Sequence, residues 1–283
     1  MEDKRLYTPQ RVRESIERGK LRLTKSLGQN FLTDGNIVRK ICDTSGIGTD
    51  EIALEIGPGI GTLTEELALR AKAVIAVEID RHLIPVLREN LSSYDNIHLI
   101  HADILETDLR ALLDEYADGA PVRVVANLPY YITTPILTRL LAADSRIASI
   151  TAMMQKEVAE RMTAGPGDPS YGSLSVYTSS YAQTEIAFIV PKTVFIPQPK
   201  VASAVVHMER IPKDERFDES FFAFVRKAFS LRRKTLLNAL SHGDGYDRDA
   251  VRSAIAQADL QASIRAEALS ADQLYGLYEI LRD

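Results

Sequence analysis

The 283 residues include one cysteine, Cys42, and no tryptophan. One thiol cannot close an intramolecular disulfide, so the sequence suits a reducing, cytoplasmic compartment, with Cys42 as a small buried hydrophobe. The five histidines form no Cys/His cluster with zinc spacing. Their closest pair, His98 and His101, has an odd separation that sends the two rings to opposite faces of a strand, so no metal site is expected. No uninterrupted apolar stretch has membrane-spanning length, and the opening MEDKRLYTPQ lacks the apolar core of a leader; membrane insertion and secretion are both disfavoured. Internal repeats and low-complexity tracts are missing as well.

The composition is that of an ordinary globular chain, 45% hydrophobic and 26% charged, with a length that suggests about two domains at roughly 150 residues each. The formal charge of −5 argues against a uniformly basic coat. Its distribution is uneven: residues 1–30 carry +4 and residues 192–238 carry +5, which leaves −14 over the remainder. A basic surface on an acidic body suits a polyanionic partner engaged at one place.

Thr8 and Pro9 read as N-cap and first residue of a short helix carrying Val12 and Ile16 and stopped at Gly19, a basic arm with little core of its own. From residue 51 the pattern changes to short apolar runs, at 52–56, 73–78, 97–101, 122–126 and 150–154, separated by helical stretches. That alternation means parallel βαβ units, and runs this continuous are expected where helices cover both faces of the sheet. Two later runs, 185–190 and 204–208, are too close for a long intervening helix and are expected to form a terminal antiparallel pair. The uncharged stretch 169–184 has no clear periodicity. After Pro212 the strand signal ends, and 221–240, 250–258 and 272–281 read as helices.

The first strand runs into Gly57-Pro58-Gly59-Ile60-Gly61 and then a helix, a nucleotide-binding arrangement. The G-x-G-x-G spacing differs from the dinucleotide fingerprint G-x-G-x-x-G, which seats a pyrophosphate, so a ligand without phosphates becomes plausible. Glu78 ends the second strand, where a carboxylate can accept both ribose hydroxyls, and Asp103 follows the third, where it can accept from an adenine amino group. S-adenosylmethionine fits this adenosine clamp best, with its amino-acid tail along the glycine loop beneath Glu55; NAD is the rival.

The fourth strand ends in Asn127-Leu128-Pro129-Tyr130. An adenine amino group is a poor nucleophile because its lone pair is delocalised into the ring. The Asn127 oxygen and the Leu128 carbonyl, held by Pro129, can accept its two N–H groups and favour the tetrahedral nitrogen that attacks a methyl carbon. Oriented dipoles then stabilise the positive charge arriving on nitrogen, and a neutral Asn avoids trapping the ground-state cation. Tyr130 can stack on a base that has left its helix.

With these segments KSLGQNFL (25–32), EIGPGIGTLT (55–64), Glu78, ADI (102–104), NLPY (127–130), YGSLS (171–175) and FIPQPKV (195–201), the sequence resembles the small-subunit ribosomal RNA adenine-N6,N6-dimethyltransferases, the KsgA family. The resemblance implies an α/β fold: a Rossmann-like S-adenosylmethionine-dependent methyltransferase sheet with a small C-terminal all-helical domain. The division is then a basic N-terminal arm (1–30), a catalytic domain (31–210) and a helical RNA-binding domain (211–283). It also implies that Asn30 and Leu32 join Gly57, Gly59, Glu78, Asp103 and Asn127 around S-adenosyl-L-methionine, and that Phe195 joins Tyr130 near the target base. Gln198 and Ala202 depart from the Pro and Asp of relatives. The implied substrate is a pair of adjacent adenosines in a 3′-terminal hairpin of small-subunit rRNA or the pre-ribosomal small subunit, modified during ribosome biogenesis. Enzymes that methylate large-subunit rRNA and confer antibiotic resistance share the cofactor and NLPY segments and rank second. A non-catalytic RNA-binding assembly factor is the alternative of another class, against which the intact NLPY segment argues. For RNA contact, Arg226 and Lys227 recur as Arg233 and Lys234, on one continuous helix opposite an apolar stripe, with a possible break near Ser230. Lys20, Arg22 and Lys25 are placed at the other edge of the groove, making phosphate contacts that position without reading sequence.

Overall fold

In the computed structural model, residues 5–19, 30–143 and 146–282 are described. The elements in chain order are α1 (Pro9–Arg18), β1 (Phe31–Leu32), α2 (Gly35–Ser45), β2 (Ile52–Ile56), α3 (Thr62–Ala68), β3 (Ala73–Glu78), α4 (Ile84–Asn90) and β4 (Ile97–His101). There follow α5 (Leu109–Tyr116), β5 (Val122–Asn127), α6 (Thr133–Ala142), β6 (Ile147–Gln155), α7 (Lys156–Thr163), α8 (Ser173–Ser179), β7 (Ala182–Val190), β8 (Phe195–Ile196) and β9 (Ser203–Arg210). Four helices close the chain: α9 (Glu219–Ala228), α10 (Leu236–Leu240), α11 (Arg248–Gln257) and α12 (Ala271–Arg282).

Seven strands form one sheet in the order β4-β3-β2-β5-β6-β9-β7, parallel from β4 through β6, with β9 antiparallel to β6. This is the Rossmann-like α/β sheet that alternating apolar runs and helices imply. Every residue of β2 is buried, as expected where helices cover both faces. The two late runs are neighbours at one end of the sheet, as β9 and β7. A separate two-stranded ribbon pairs Phe31 with Ile196 and Leu32 with Phe195.

The chain divides into two compact units, one through Ala159 plus Glu185–Arg210, the other Glu160–Thr184 plus Ile211–Asp283. The second unit therefore draws on residues assigned from the sequence to the catalytic domain. The YGSLS segment explains why. Tyr171 is buried and its hydroxyl donates to Leu269 O at 3.0 Å, while the Ser175 hydroxyl donates to Arg161 O. The first bond ties 160–184 to the C-terminal segment, the second braces 160–184 internally, and the C-terminal helices themselves pack around Phe221, Phe224, Leu274 and Leu277.

The N-terminal helix departs from expectation. Thr8 caps it by accepting from Arg11 N and Gly19 ends it, as the sequence implies. Yet Leu6 and Val12 are buried in one cluster with Leu83, Leu87 and Leu91, and Leu6 N donates to Glu65 Oε2 at 2.8 Å. The apolar face of α1 thus packs into the sheet unit's core, so residues set apart from the sequence as an arm share the core of that unit. Cys42 is buried in the other cluster, with Ile41, Ala53 and Val74, and burial pushes its thiol pKa well up, leaving a small hydrophobe.

Gly61, the N-cap of α3, has φ +93°, and a Cβ there would lie 3.1 Å from the Leu91 side chain. Gly61→Ala combines a left-handed backbone with a contact that must give. It should cost about 1–3 kcal/mol of stability; a denaturation midpoint equal to that of the unaltered protein would show the turn to be unconstrained.

Candidate active site

Where the order of strands reverses beside β2, the carboxyl ends of β2 and β5 flank a crevice, the position at which open α/β sheets bind ligands. The strand ends are level there. Gly57 N donates to Val77 O at 2.9 Å, Glu78 lies opposite His101, Ala102 N donates to Glu78 O at 3.0 Å, and Leu128 N donates to Met153 O at 3.0 Å. One pocket results, lined among others by Asn30, Leu32, Glu55, Gly57, Gly59, Glu78, Asp103, Asn127, Leu128, Pro129 and Tyr130. The pocket brings together every residue expected around the cofactor.

Gly57 and Gly59 have φ +69° and +64°, a backbone that L side chains rarely adopt. The turn is clasped from β3: Glu78 Oε2 accepts from Gly59 N at 3.2 Å and Oε1 from Asp80 N at 2.8 Å. Each carboxylate oxygen has a second lone pair, so Glu78 holds the loop and still offers acceptors to a diol. Burial raises its pKa above the usual carboxylate range. Asp103 is oriented by its own turn, with Oδ1 accepting from Leu105 N at 2.8 Å.

Glu55 is buried against the pocket, and its Oε2 has no hydrogen-bond partner among the described residues. Burial, with the Glu78 charge adding to it, pushes the carboxyl up to about 8. An orphaned buried acceptor of this kind calls for a donor, best a cationic one. The site therefore fits a nucleoside bearing an amino-acid tail: the ammonium at Glu55, the ribose at Glu78, the adenine at Asp103.

At the reacting end, Asn127 Nδ2 donates to Asn30 O at 3.0 Å. That bond assigns the amide orientation and leaves Oδ1 as the atom the side chain can offer to the pocket. The Pro129 carbonyl accepts from the Thr133 hydroxyl at 2.9 Å and from Ile132 N at 3.2 Å, which fixes the turn carrying Tyr130. The Tyr130 hydroxyl is 2.5 Å from Ser203 Oγ, a fully buried serine at the start of β9.

Phe195 does not line the pocket. It is 1% exposed, pairs with Leu32 across the ribbon and packs in the core with Val190 and Val205. With so little of its surface exposed, its ring has no face open to a base. The expected basic helix is also interrupted: α9 ends at Ala228, and α10 is capped by Thr235, not Ser230. Arg226 is paired with Glu219 at 2.8 Å and the Lys227 ammonium donates to His242 O, whereas Arg233 and Lys234 are exposed in the intervening turn. Lys20, Arg22 and Lys25 lie outside the described residues. Phe31, Ile79, Ile104 and Tyr131 also line the pocket and were not anticipated. Ile79 and Ile104 directly follow the two carboxylates, an apolar wall beside each polar anchor that the sequence already displayed. Among the described residues no group of three or more His, Cys, Asp or Glu could hold a metal ion, and no helix is long and apolar enough to cross a membrane.

The model of the family "Ribosomal RNA adenine dimethylase" matches residues 20–283. The chain belongs to that family. Among similar proteins is the ribosomal RNA small subunit methyltransferase A of Enterococcus faecalis, 44% identical over 98% of this chain and 97% of its own. The protein of the same name from Geobacillus thermodenitrificans is 50% identical over 84% of this chain and 82% of its own. Among solved structures, a dimethyladenosine transferase from Plasmodium falciparum superposes with a TM-score of 0.73 at 25% identity, covering 87% of this chain and 95% of its own. As a ribosomal RNA adenine dimethylase the protein takes its methyl groups from S-adenosyl-L-methionine, and the clamp built by Glu55, Glu78 and Asp103 fits that donor.

The buried Glu55 gives stability a pH dependence of known sign. Its pKa is raised in the folded state, so between the ordinary value of 4.5 and about 8 the unfolded chain ionises while the folded one resists. Stability is then highest at low pH on this account and falls as pH rises through that window. For the cofactor-free protein, Glu55→Gln should gain stability over the unaltered chain progressively from pH 5 to pH 8. Parallel urea-denaturation profiles across that range would show that Glu55 ionises freely.

Proposed function

We propose that the protein transfers methyl groups to the N6 amino groups of two adjacent adenosines in a 3′-terminal hairpin of small-subunit rRNA, giving N6,N6-dimethyladenosine during ribosome biogenesis in the cytoplasm. The observation that carries the chemistry is the Asn127 amide, anchored through its nitrogen to the Asn30 carbonyl so that its oxygen can accept from a target amine. Relatives named for the small ribosomal subunit, at 44% and 50% identity, favour that RNA over a large-subunit target. The solved 23S rRNA methyltransferase ErmE is 29% identical with a TM-score of 0.66. An assembly factor without activity would have no use for an amide so anchored, and a hydride-transfer enzyme would need an acid/base pair that the reacting end of the pocket lacks among the described residues.

S-adenosylmethionine supplies an electrophilic methyl carbon on a sulfonium. Asn127 Oδ1 and the Leu128 carbonyl accept hydrogen bonds from the two amine N–H groups, which directs the nitrogen lone pair at that carbon. As the nitrogen–methyl bond forms and the carbon–sulfur bond breaks, positive charge passes to nitrogen, leaving S-adenosylhomocysteine as a neutral thioether, and these fixed dipoles stabilise that charge at no reorganisation cost. No strong base is required, since the product ammonium readily gives its proton to water. Tyr130, its hydroxyl held by Ser203, stacks on the extruded base. Arg233 and Lys234, exposed between α9 and α10, contact phosphates and position the RNA.

The reading is tested by treating unmodified small-subunit RNA with enzyme and labelled donor and mapping the products by mass. Two dimethylated adenosines in one hairpin are expected; label confined to large-subunit RNA would overturn it. In the same assay Asn127→Ala should lower the methyl-transfer rate by about 100-fold or more while S-adenosylhomocysteine binding changes little, because the missing interaction belongs to the transition state. Normal turnover would remove Asn127 from the mechanism. For the basic turn, replacing both Arg233 and Lys234 with Gln should flatten the slope of log affinity against log salt by about 0.7–0.9 for each phosphate that is no longer neutralised. An unaltered slope would make this turn a solvated surface.

A further inference from the structure

The two adjacent tyrosines in the turn after β5 have unlike surroundings. Both line the pocket, and the turn is closed by Ile132 N donating to Pro129 O. Tyr130 is drawn toward β9 through its bond to the buried Ser203. Tyr131 is 51% exposed, one of the few large apolar side chains left in water. Burial, and after it the charges of Asp103 and Glu78, hold the Tyr131 phenol above its ordinary range. Tyr131 lines the same pocket as Glu78 and Asp103, the pair assigned to ribose and adenine, while the bond to Ser203 holds Tyr130 toward β9, so Tyr131 is the tyrosine left free to meet the nucleoside. A half-exposed ring lining such a pocket gains most when a flat apolar group such as a purine moves against its face.

We propose that Tyr131 is a further cofactor-binding residue, an aromatic wall that the nucleoside of S-adenosylmethionine covers on binding. The inference rests on the methyltransferase reading above and adds to it a division of labour, with Tyr130 serving the RNA base and Tyr131 the cofactor. The contact is made by the ring face, so the hydroxyl is dispensable.

The chain has no tryptophan, which makes Tyr131→Trp a single fluorescent reporter at the pocket mouth. Titration of this variant with S-adenosylhomocysteine should change the Trp emission saturably, with a midpoint equal to the Kd measured on the same variant by calorimetry. Tyr131→Ala should weaken S-adenosylhomocysteine binding about 3- to 10-fold, the scale of one aromatic contact. Tyr131→Phe should retain it, and in Tyr131→Ala RNA affinity should fall less than cofactor affinity. The proposal is overturned if calorimetry shows normal binding to Tyr131→Ala, or if the loss falls on RNA affinity instead. If calorimetry detects no binding of S-adenosylhomocysteine to the unaltered protein, the cofactor reading itself fails and takes the proposal with it. Binding that is detected while Trp emission stays flat overturns the placement of Tyr131 alone.

Discussion

In a parallel ladder every strand enters the sheet from the same side, so the turns that follow the strands all fall at one edge. β2, β3 and β4 pair without a slip up to that edge, and β5, after one irregularity between Val122 and Arg123, pairs with β6 in constant register from Arg123 to its last residue, Asn127. Glu78, Asp103 and Asn127 come from segments far apart in sequence, yet this single constraint delivers them to one pocket. A shift of one residue in any strand would turn its terminal side chain to the other face. The register is held by burial on both faces, with Ala53, Leu54, Val74, Ile75, Val124 and Val125 all inaccessible to water.

On the proposed reading, the site built on that frame separates holding from reacting. Carboxylates occupy the holding positions, Glu55, Glu78 and Asp103, where a cationic ligand with hydroxyl and amino donors gains from acceptors. The reacting end is neutral: an amide, a backbone carbonyl and a phenol. A carboxylate at Asn127 would attract the sulfonium more in the ground state than in the transition state, when the charge has begun to leave it. Glu55, with its buried Oε2 lacking a hydrogen-bond partner and its pKa raised to about 8, marks where the pocket awaits positive charge.

The parallel core and the set of residues gathered around the pocket were legible in sequence because local signals carry them. A buried strand is a short apolar run, a glycine turn is two or three glycines, and the polar residue after each strand has a fixed place at the edge. Other features depend on partners remote in the chain. Phe195 is buried because its strand pairs with Leu32, and nothing near residue 195 announces that pairing. Residues 160–184 join the C-terminal helices through Tyr171 and Leu269, a bond across a long sequence separation. The break after Ala228 is a choice between two local energies: continuing the helix would drive Arg232 toward the apolar side, while Thr235 offers a cap a few residues on.

Ser203 and Tyr130 illustrate a limit on how this site can drift during evolution. The Ser203 hydroxyl is fully buried and faces the tyrosine hydroxyl at 2.5 Å. Exchange of Tyr130 for Phe leaves the stacking ring intact but strands the serine in a dry place, and exchange of Ser203 for Ala strands the phenol. Either step alone passes through a less stable protein, whereas the double change to Phe and Ala restores a consistent apolar contact. The two positions, 73 residues apart, are thus expected to vary as a pair or not at all.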